Sequence, residues 1–230
     1  MIISDSAFWF LAFALYLIDN MKLIDRQEMF LVESMALRIE PRLTQIPFEI
    51  RGRCLAILNP FVPFLMAFMA KWSGDGGKDF RALRRDRRLI LRLQKRVFQL
   101  RVIAALSFAN LFVAGPILTS RIGLASTLLK IGPVHLSLLL LLGFAVMRDA
   151  FGLSARYWAL FIIECLICPM YLPTLLKRLS WRTVLESDGV AFAKRYGPVN
   201  LLPDLQSAVE VRTTELLAGC EAVDESQDSK

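Results

Sequence analysis

Long apolar blocks alternate with charged stretches along this chain. The clearest block, residues 102–118, carries no charge and follows directly on the cationic segment 81–101. Residues 7–18 and 134–147 form two further uncharged blocks. With their flanks, these blocks approach the ~20 residues that a helix needs to cross a bilayer. The pattern predicts an α-helical integral membrane protein, built as a small bundle of three transmembrane helices.

The first helix is predicted to span residues 1–18, with Trp9 and Tyr16 at the two membrane interfaces. No Lys or Arg precedes the apolar block, whereas Lys22 and Arg26 follow it. Because basic residues stay on the cytoplasmic side, we expect the N-terminus to lie outside. The start of the chain lacks the positive charge that precedes a cleaved signal peptide, so we expect the helix to be retained.

Residues 19–60 change to a period of two. Apolar Leu37 and Ile39 alternate with charged neighbours, and Ile46, Phe48 and Ile50 repeat the pattern. Alternation of this kind is typical of half-buried antiparallel strands. The segment therefore predicts a small cytoplasmic antiparallel β-meander.

Residues 61–101 are predicted to connect this meander to the membrane. Phe61–Trp72 spans only ~18 Å as a helix, so we expect a surface-lying or re-entrant segment. The sequence Ser73-Gly-Asp-Gly-Gly77 predicts a hinge. From Phe80 one long helix is expected to run into the apolar block, with Gly132-Pro133 closing the outer loop after it.

The first part of that long helix is strongly basic. Leu83, Ile90, Val97 and Leu100 form an apolar stripe at helical spacing, and cations flank it. Such a helix suits docking on anionic lipid headgroups or on a partner protein. The residues predicted to bind are Arg81, Arg84, Arg85, Arg87, Arg88, Arg92, Lys95 and Arg96.

The membrane bundle is expected to extend over residues 102–176. Residues 157–176 are long enough to cross, but Pro169 and Pro173 interrupt them. A re-entrant path keeps 26 of 28 Lys and Arg inside, so re-entry is favoured over a fourth crossing. The remainder, 177–230, is predicted as a cytoplasmic tail with one helix at 204–218 and an acidic disordered end.

The composition agrees with a membrane protein and limits the classes of binding partner that we expect. The chain is 55% hydrophobic with a mean hydropathy of +0.48, above the usual soluble range. The net charge of +7 is concentrated locally, since residues 71–101 hold eleven Lys and Arg against three Asp. No nucleic-acid-binding module accompanies these cations, so we expect anionic lipid or protein as the partner and not nucleic acid.

Cys165-Leu-Ile-Cys168-Pro is the sharpest chemical motif. A CxxC pair inside an apolar segment resembles the redox motif of vitamin K epoxide reductase-type and other thiol–quinone oxidoreductases. The resemblance implies thiol–disulfide exchange at Cys165 and Cys168, with a quinone as cofactor. Those enzymes relay electrons through a second cysteine pair, and here only the isolated Cys54 and Cys220 remain. The two cysteines are otherwise interpreted as small packing residues.

Three other polar residues fall in the apolar blocks. Glu164 is interpreted as a proton or cation site, as a partner of Arg156 or Arg148, or as a solvated interfacial carboxylate. His135 is expected at the outer end of the third helix, and no metal site is predicted around it. Asn110 is expected to hydrogen-bond a neighbouring helix.

Together these features favour a non-catalytic function. We expect an accessory, assembly or scaffold subunit of a membrane complex, in a bacterial inner membrane, that binds lipid and another integral membrane protein or a second copy of itself. A thiol–quinone oxidoreductase using Cys165 and Cys168 is the first alternative. An oligomeric channel or transporter subunit with Glu164 in its pathway is the second.

Overall fold

The structure is a computed structural model that describes most of the chain. The described residues are 5–25, 27–34, 39–42, 49–50, 53–71, 79–146, 153–198, 203, 207, 209–211 and 214. The expected Gly-rich hinge at 73–77 and the acidic end at 220–230 lie outside these residues. So does most of the helix expected at 204–218.

Helices form the greater part of the described fold. Two of them are linked by a π-helical turn, Ala109–Ala114, and a 3-10 turn, Pro169–Tyr171, lies between two others. The α-helices are α1 (Asp5–Asp19), α2 (Phe80–Arg96), α3 (Phe98–Phe108), α4 (Gly115–Ile122), α5 (Leu124–Val146), α6 (Ala155–Ile167), α7 (Leu175–Trp181) and α8 (Gly189–Tyr196).

The strands form two small sheets. They are β1 (Met21–Asp25), β2 (Glu28–Glu33), β3 (Ile39–Arg42), β4 (Glu49–Ile50), β5 (Arg53–Ile57), β6 (Ala67–Lys71) and β7 (Val184–Leu185). One sheet has the order β1-β5-β4 and the other has the order β3-β2-β6-β7. β7 runs parallel to β6, whereas the other pairs are antiparallel.

Strands were expected between residues 19 and 60, but their connectivity is not that of a meander. β1 pairs with β5, and β2 lies between β3 and β6. The segment expected on the membrane surface instead contains β6, whose Phe68 is fully buried. The region after residue 177 is likewise not a separate tail, because β7 completes this sheet and α8 packs against β2 and β3. Pairing between distant strands, which no local pattern encodes, decides these differences.

A buried seam runs along α2 and α3. Leu83, Ile90, Val97 and Leu100, the stripe expected from the sequence, are each at most 4% exposed. They pack against the second sheet and α7 in one hydrophobic core. Val97 separates the two helices, yet its N–H donates to Leu93 and its C=O accepts from Arg101, both at 2.9 Å. The two helices therefore continue one another with the same face inward.

A buried ion pair fixes the end of this seam. The Arg101 guanidinium donates to both carboxylate oxygens of Glu33, at 2.7 and 2.8 Å. The Glu33 side chain is fully buried and also accepts from the Gln94 amide and the Met66 backbone N–H. Arg101 is the last cation before the uncharged block, and its side chain is only 12% exposed and faces the sheet.

The apolar helices differ from the expected boundaries. The turn between α4 and α5 falls at Gly123, which adopts a left-handed φ of 78° that favours glycine. Pro133 was expected in a loop but lies inside α5. Because the chain already turns at Gly123, α5 can begin nine residues before Pro133 and include this proline within the helix.

The N-terminal helix is tied to α4 by a buried tryptophan. Trp9 was expected at an interface, but it is 9% exposed and its Nε1 donates to Thr119 Oγ1 at 2.9 Å. Gly115 permits this contact, because a Cβ there would lie 2.2 Å from the Trp9 ring. Tyr16, also expected at an interface, is fully buried and donates to the Pro60 carbonyl. The close approach of Trp9 to Gly115 thus packs α1 against α4.

Within the described residues, two helical stretches are long and apolar enough to cross a membrane. They are Phe98–Ile122 and Leu124–Gly143, with only 33% and 28% of their apolar windows buried. α1, at 15 residues, is shorter than these stretches. Large apolar side chains are exposed on these three helices, and Phe10, Leu129 and Leu140 are each at least 69% exposed.

The segment 157–176 folds into a helical hairpin. α6 ends at Cys168, the 3-10 turn follows, and α7 returns. Arg182 after α7 stacks on Tyr157 near the start of α6, at 3.9 Å from the ring centroid. The chain after α7 therefore comes back to the start of α6.

Breaking the Arg101–Glu33 pair should destabilise the fold. We expect Arg101→Ala to lower the free energy of unfolding by about 3–5 kcal/mol, because it leaves a buried carboxylate without a counter-charge. Arg101→Met combined with Glu33→Gln should cost less, since no uncompensated charge remains. Chemical denaturation in detergent measures both, with the exposed Arg96→Ala as control. Equal stability of Arg101→Ala and the control would contradict the structural role.

The Trp9–Gly115 contact gives a second prediction. Gly115→Ala should destabilise the protein by about 1–3 kcal/mol, because the new methyl group overlaps the indole ring. Gly132→Ala is the matched control, since a Cβ at Gly132 in α5 meets no atom within 4 Å. The control should be neutral or gain up to about 1 kcal/mol. Similar thermal unfolding of the two variants would show that α1 does not pack as described.

Candidate functional site

The residues that the sequence singled out for docking all lie on α2. Asp79 caps the helix by accepting from the N–H groups of Arg81 and Ala82. The buried seam holds one side of α2 on the core, so the cations on the opposite side point away from the protein. The members of this surface, called the basic face below, are Arg81, Arg84, Arg88, Arg92 and Lys95, with Leu91 between them.

The basic face is a concentrated positive surface. Its side chains, together with Arg85, line an open bay of about 790 Å³. Arg88 and Arg92 each donate to the carbonyl four residues earlier, which aligns successive guanidinium groups along the helix. Within the described chain, none of the five cations forms an ion pair. Like charges three or four residues apart cost a helix about 0.2–0.5 kcal/mol per pair, so the arrangement opposes folding.

The remaining cations of α2 have intramolecular partners or a different direction. Arg85 pairs with Glu186, and Arg87 stacks on Tyr196 at 4.6 Å from the ring centroid. Asp86, the acid among them, is buried and accepts from the Ser187 N–H at 2.7 Å. These contacts fix α2 against the segment between β7 and α8. They leave the basic face as the part of α2 for which the described residues offer no ion-pair partner.

A second polar cluster lies where α1 meets the α6–α7 hairpin. The Arg178 guanidinium donates from Nη2 and Nε to Asp19 Oδ1, at 2.6 and 2.9 Å. Its Nη1 donates to Glu164 at 3.0 Å, and its plane stacks on Tyr171. Glu164 therefore pairs with Arg178, and neither Arg156 nor Arg148 is its described partner. Its side chain is 53% exposed.

Lys177 is the most unusual ionisable group of this cluster. Its Nζ is buried and donates to Asn20 Oδ1 and to the Asn59 carbonyl. Burial lowers the pKa of the Lys177 ammonium to about 7, although the charge of Asp19 acts in the opposite sense. Both its partners are neutral acceptors that satisfy the amine without fixing its charge. The lysine therefore joins α1, the loop after β5 and α7 at one point.

The two cysteines of the CxxC motif belong to different environments. Cys165 has no exposed surface and is part of the main core. Cys168 is half-buried and packs against the cluster around Trp9. Both are thiols in the structure. Their separation into two packing clusters fits the interpretation as packing residues, whereas Cys168 alone lines an open groove.

His135 and Asn110 connect helices. His135 was expected at an interface, but it is 7% exposed in the middle of α5, and its Nε2 lies 3.3 Å from the Cys165 carbonyl. Asn110, in the π-helical turn, donates to the Ile131 carbonyl of α5 at 3.2 Å, as the sequence predicts. Across the described residues, no group of three His, Cys, Asp or Glu side chains is placed to hold a metal ion.

Sequence reasoning missed the partners in both clusters. Asp19, Lys177 and Arg178 all flank apolar blocks, which was the available signal that they would meet at one level. Their pairing spans more than 150 positions, so no spacing rule could connect them.

No protein-family model, curated protein or solved structure matches this chain.

The low pKa of Lys177 sets a pH dependence. The folded lysine titrates near 7 and the unfolded one near 10.5, so between these values the unfolded state binds more protons. The free energy of unfolding should therefore rise as the pH increases from about 7 to about 10. Lys177→Met should flatten this rise, and the exposed Lys95→Met should keep it. Identical pH profiles of wild type and Lys177→Met in detergent would refute the assignment.

Proposed function

We propose that this chain is a polytopic membrane protein with a non-catalytic role, as an accessory, assembly or scaffold subunit that docks an acidic partner protein through the basic face of α2. The observation that carries the proposal is the basic face itself: five cations that a buried seam holds outward and that form no ion pair with any described residue. A binding function explains a surface that opposes folding and pairs with no described acidic group.

The membrane part of the proposal is supported by exposed apolar surface. Two long apolar helices are mostly unburied, and α1 adds Phe10, Leu11 and Ile18, each at least 55% exposed. Soluble proteins rarely expose contiguous apolar patches of this extent. The proposed arrangement has α1, α3–α4 and α5 crossing, α6–α7 re-entering, and both sheets on the cytoplasmic side. A bacterial inner membrane is the proposed location.

The geometry favours a protein over lipid as the main occupant of the basic face. Because α2 continues into α3 through Val97, it extends away from the proposed bilayer surface. At 1.5 Å per residue, Arg81 and Arg84 stand roughly 20–30 Å from the start of the apolar block. That distance exceeds the Debye length of about 8 Å at physiological salt, so headgroups would act on the last turn near Lys95 and Arg96 only.

The thiol–quinone and channel alternatives find less support. Cys165 is enclosed in the core and cannot meet a partner thiol without local opening. Glu164 is exposed and bound to Arg178. Docking through the basic face requires no rearrangement of the described chain.

Site-specific photo-crosslinking in intact cells tests the docking proposal. A photoreactive residue replacing Leu91, in the centre of the basic face, should give a protein adduct. Arg81, Arg84, Arg88 and Arg92 all changed to Gln should abolish that adduct, because the attraction depends on charge. The same four changed to Lys should retain most of it. A photoreactive residue at Leu129, 78% exposed on α5, serves as the positional control.

Two results would contradict the proposal. One is an adduct at position 91 that survives the change to Gln and raised salt. The other is an adduct only with this chain's own acidic residues 215–230, which a variant truncated before residue 215 would reveal. In that case the basic face would be occupied internally.

A further inference from the structure

A groove of about 500 Å³ lies between the end of α1, α6 and α7. It is separate from the basic face, and no part of the proposed docking function uses it. Its lining includes the apolar Leu15 and Ile18 of α1, called the apolar end below. It also includes Lys22 and Arg182 beside aromatic rings, called the cationic end, and the carboxylates Asp19 and Glu164.

Lys22 and Arg182 form the cationic end without a carboxylate partner. Within the described chain, neither has an acidic group at ion-pair distance. Lys22 Nζ donates to the Met69 thioether, a weak acceptor, and lies 5.4 Å from the Trp181 ring centroid. By contrast, the third cation of the groove, Arg178, forms ion pairs with Asp19 and Glu164, two carboxylates that also line the groove.

The two cations are close enough to affect each other. Burial lowers the pKa of Lys22, Glu28 opposes this, and the charge of Arg182 adds to the lowering. An anion between the two side chains would remove their repulsion and replace the weak thioether contact with charge-assisted hydrogen bonds. A phosphate group matches this chemistry, since it presents several acceptor oxygens to donors on both sides.

The apolar end continues onto the surface proposed to face lipid. Leu15 and Ile18 are 45% and 61% exposed, and the neighbouring Ile167 of α6 is 79% exposed. Trp181 and Tyr157 line the groove beside Lys22 and Arg182, and amphipathic rings of this kind suit a membrane interface. A soluble phosphate compound would leave the apolar end without an occupant, whereas a phospholipid fills both ends.

We propose that this groove binds one anionic phospholipid of the cytoplasmic leaflet, with its phosphate at Lys22 and Arg182 and its acyl chains along Leu15 and Ile18. The inference rests on the membrane part of the proposed function, and it is independent of docking through α2. The bound lipid would brace the junction between α1 and the α6–α7 hairpin.

Native mass spectrometry of the full-length protein tests the groove. The protein is released from mixed micelles that contain equal amounts of phosphatidylglycerol and phosphatidylcholine, and the first bound lipid is identified. We expect a preference for phosphatidylglycerol of roughly fivefold or more, from two cations near a charged headgroup. Lys22→Gln with Arg182→Gln should reduce the ratio to about one. Lys22→Arg with Arg182→Lys should keep the preference and shows that the site tolerates substitution.

The controls separate this inference from the proposed function. Arg84→Gln with Arg88→Gln should leave the lipid ratio unchanged, because these residues lie on the basic face. If the wild-type protein resists alkaline extraction from membranes but binds both lipids equally, the proposed lipid site is overturned and the membrane part of the proposed function is not. A lipid preference retained after the double change to Gln would also overturn it. Displacement of the lipid by millimolar inorganic phosphate would show recognition of a free anion, contrary to the proposal.

Discussion

The buried pair of Arg101 and Glu33 is the interaction on which the arrangement of the other parts depends. It joins the first turn of α3 to β2, and Gln94 at the end of α2 binds the same carboxylate. A buried carboxylate requires all of these donors, because an uncompensated charge in the core would cost several kcal/mol. The position and rotation of α2 and α3 against the sheet are therefore set at one point.

This orientation of α2 explains why some of its cations contact other described residues and others point outward. With Leu83 and Ile90 inward, the opposite side of the helix has no surface of the described chain to contact. Residues at the edges of the helix, such as Arg85 and Arg87, reach Glu186 and Tyr196. The remaining cations form the basic face. Its exposure follows from the seam and not from the charge of the segment alone.

The second junction uses the same chemistry at the end of α1. The Arg178 guanidinium donates hydrogen bonds to two carboxylates, and the adjacent Lys177 donates to neutral oxygens. These two consecutive basic residues thus hold α1 and the hairpin together. Lys22 and Arg182 lie next to this junction, and neither forms an ion pair with a described carboxylate. This contrast supports an anion-binding groove there.

The elements that depend on the pattern of neighbouring residues could be predicted from the sequence. The apolar blocks, the stripe of α2 and the presence of strands between residues 19 and 60 follow from periodicities of 3.6 and 2, which the printed chain shows directly. The interhelical role of Asn110 was also foreseeable, because a polar amide in an apolar block needs a neighbouring carbonyl.

Features that depend on a partner elsewhere in the chain could be seen in the tertiary structure alone. Arg101 pairs with Glu33, and Glu164 pairs with Arg178. β6 is an interior strand of its sheet, and β7, from beyond residue 177, is the edge strand beside it. Periodicity states that a side chain or strand needs a partner, but it does not state which one. That choice is made by tertiary packing between elements that do not adjoin in the sequence, as for Glu33 with Arg101 and β6 with β7.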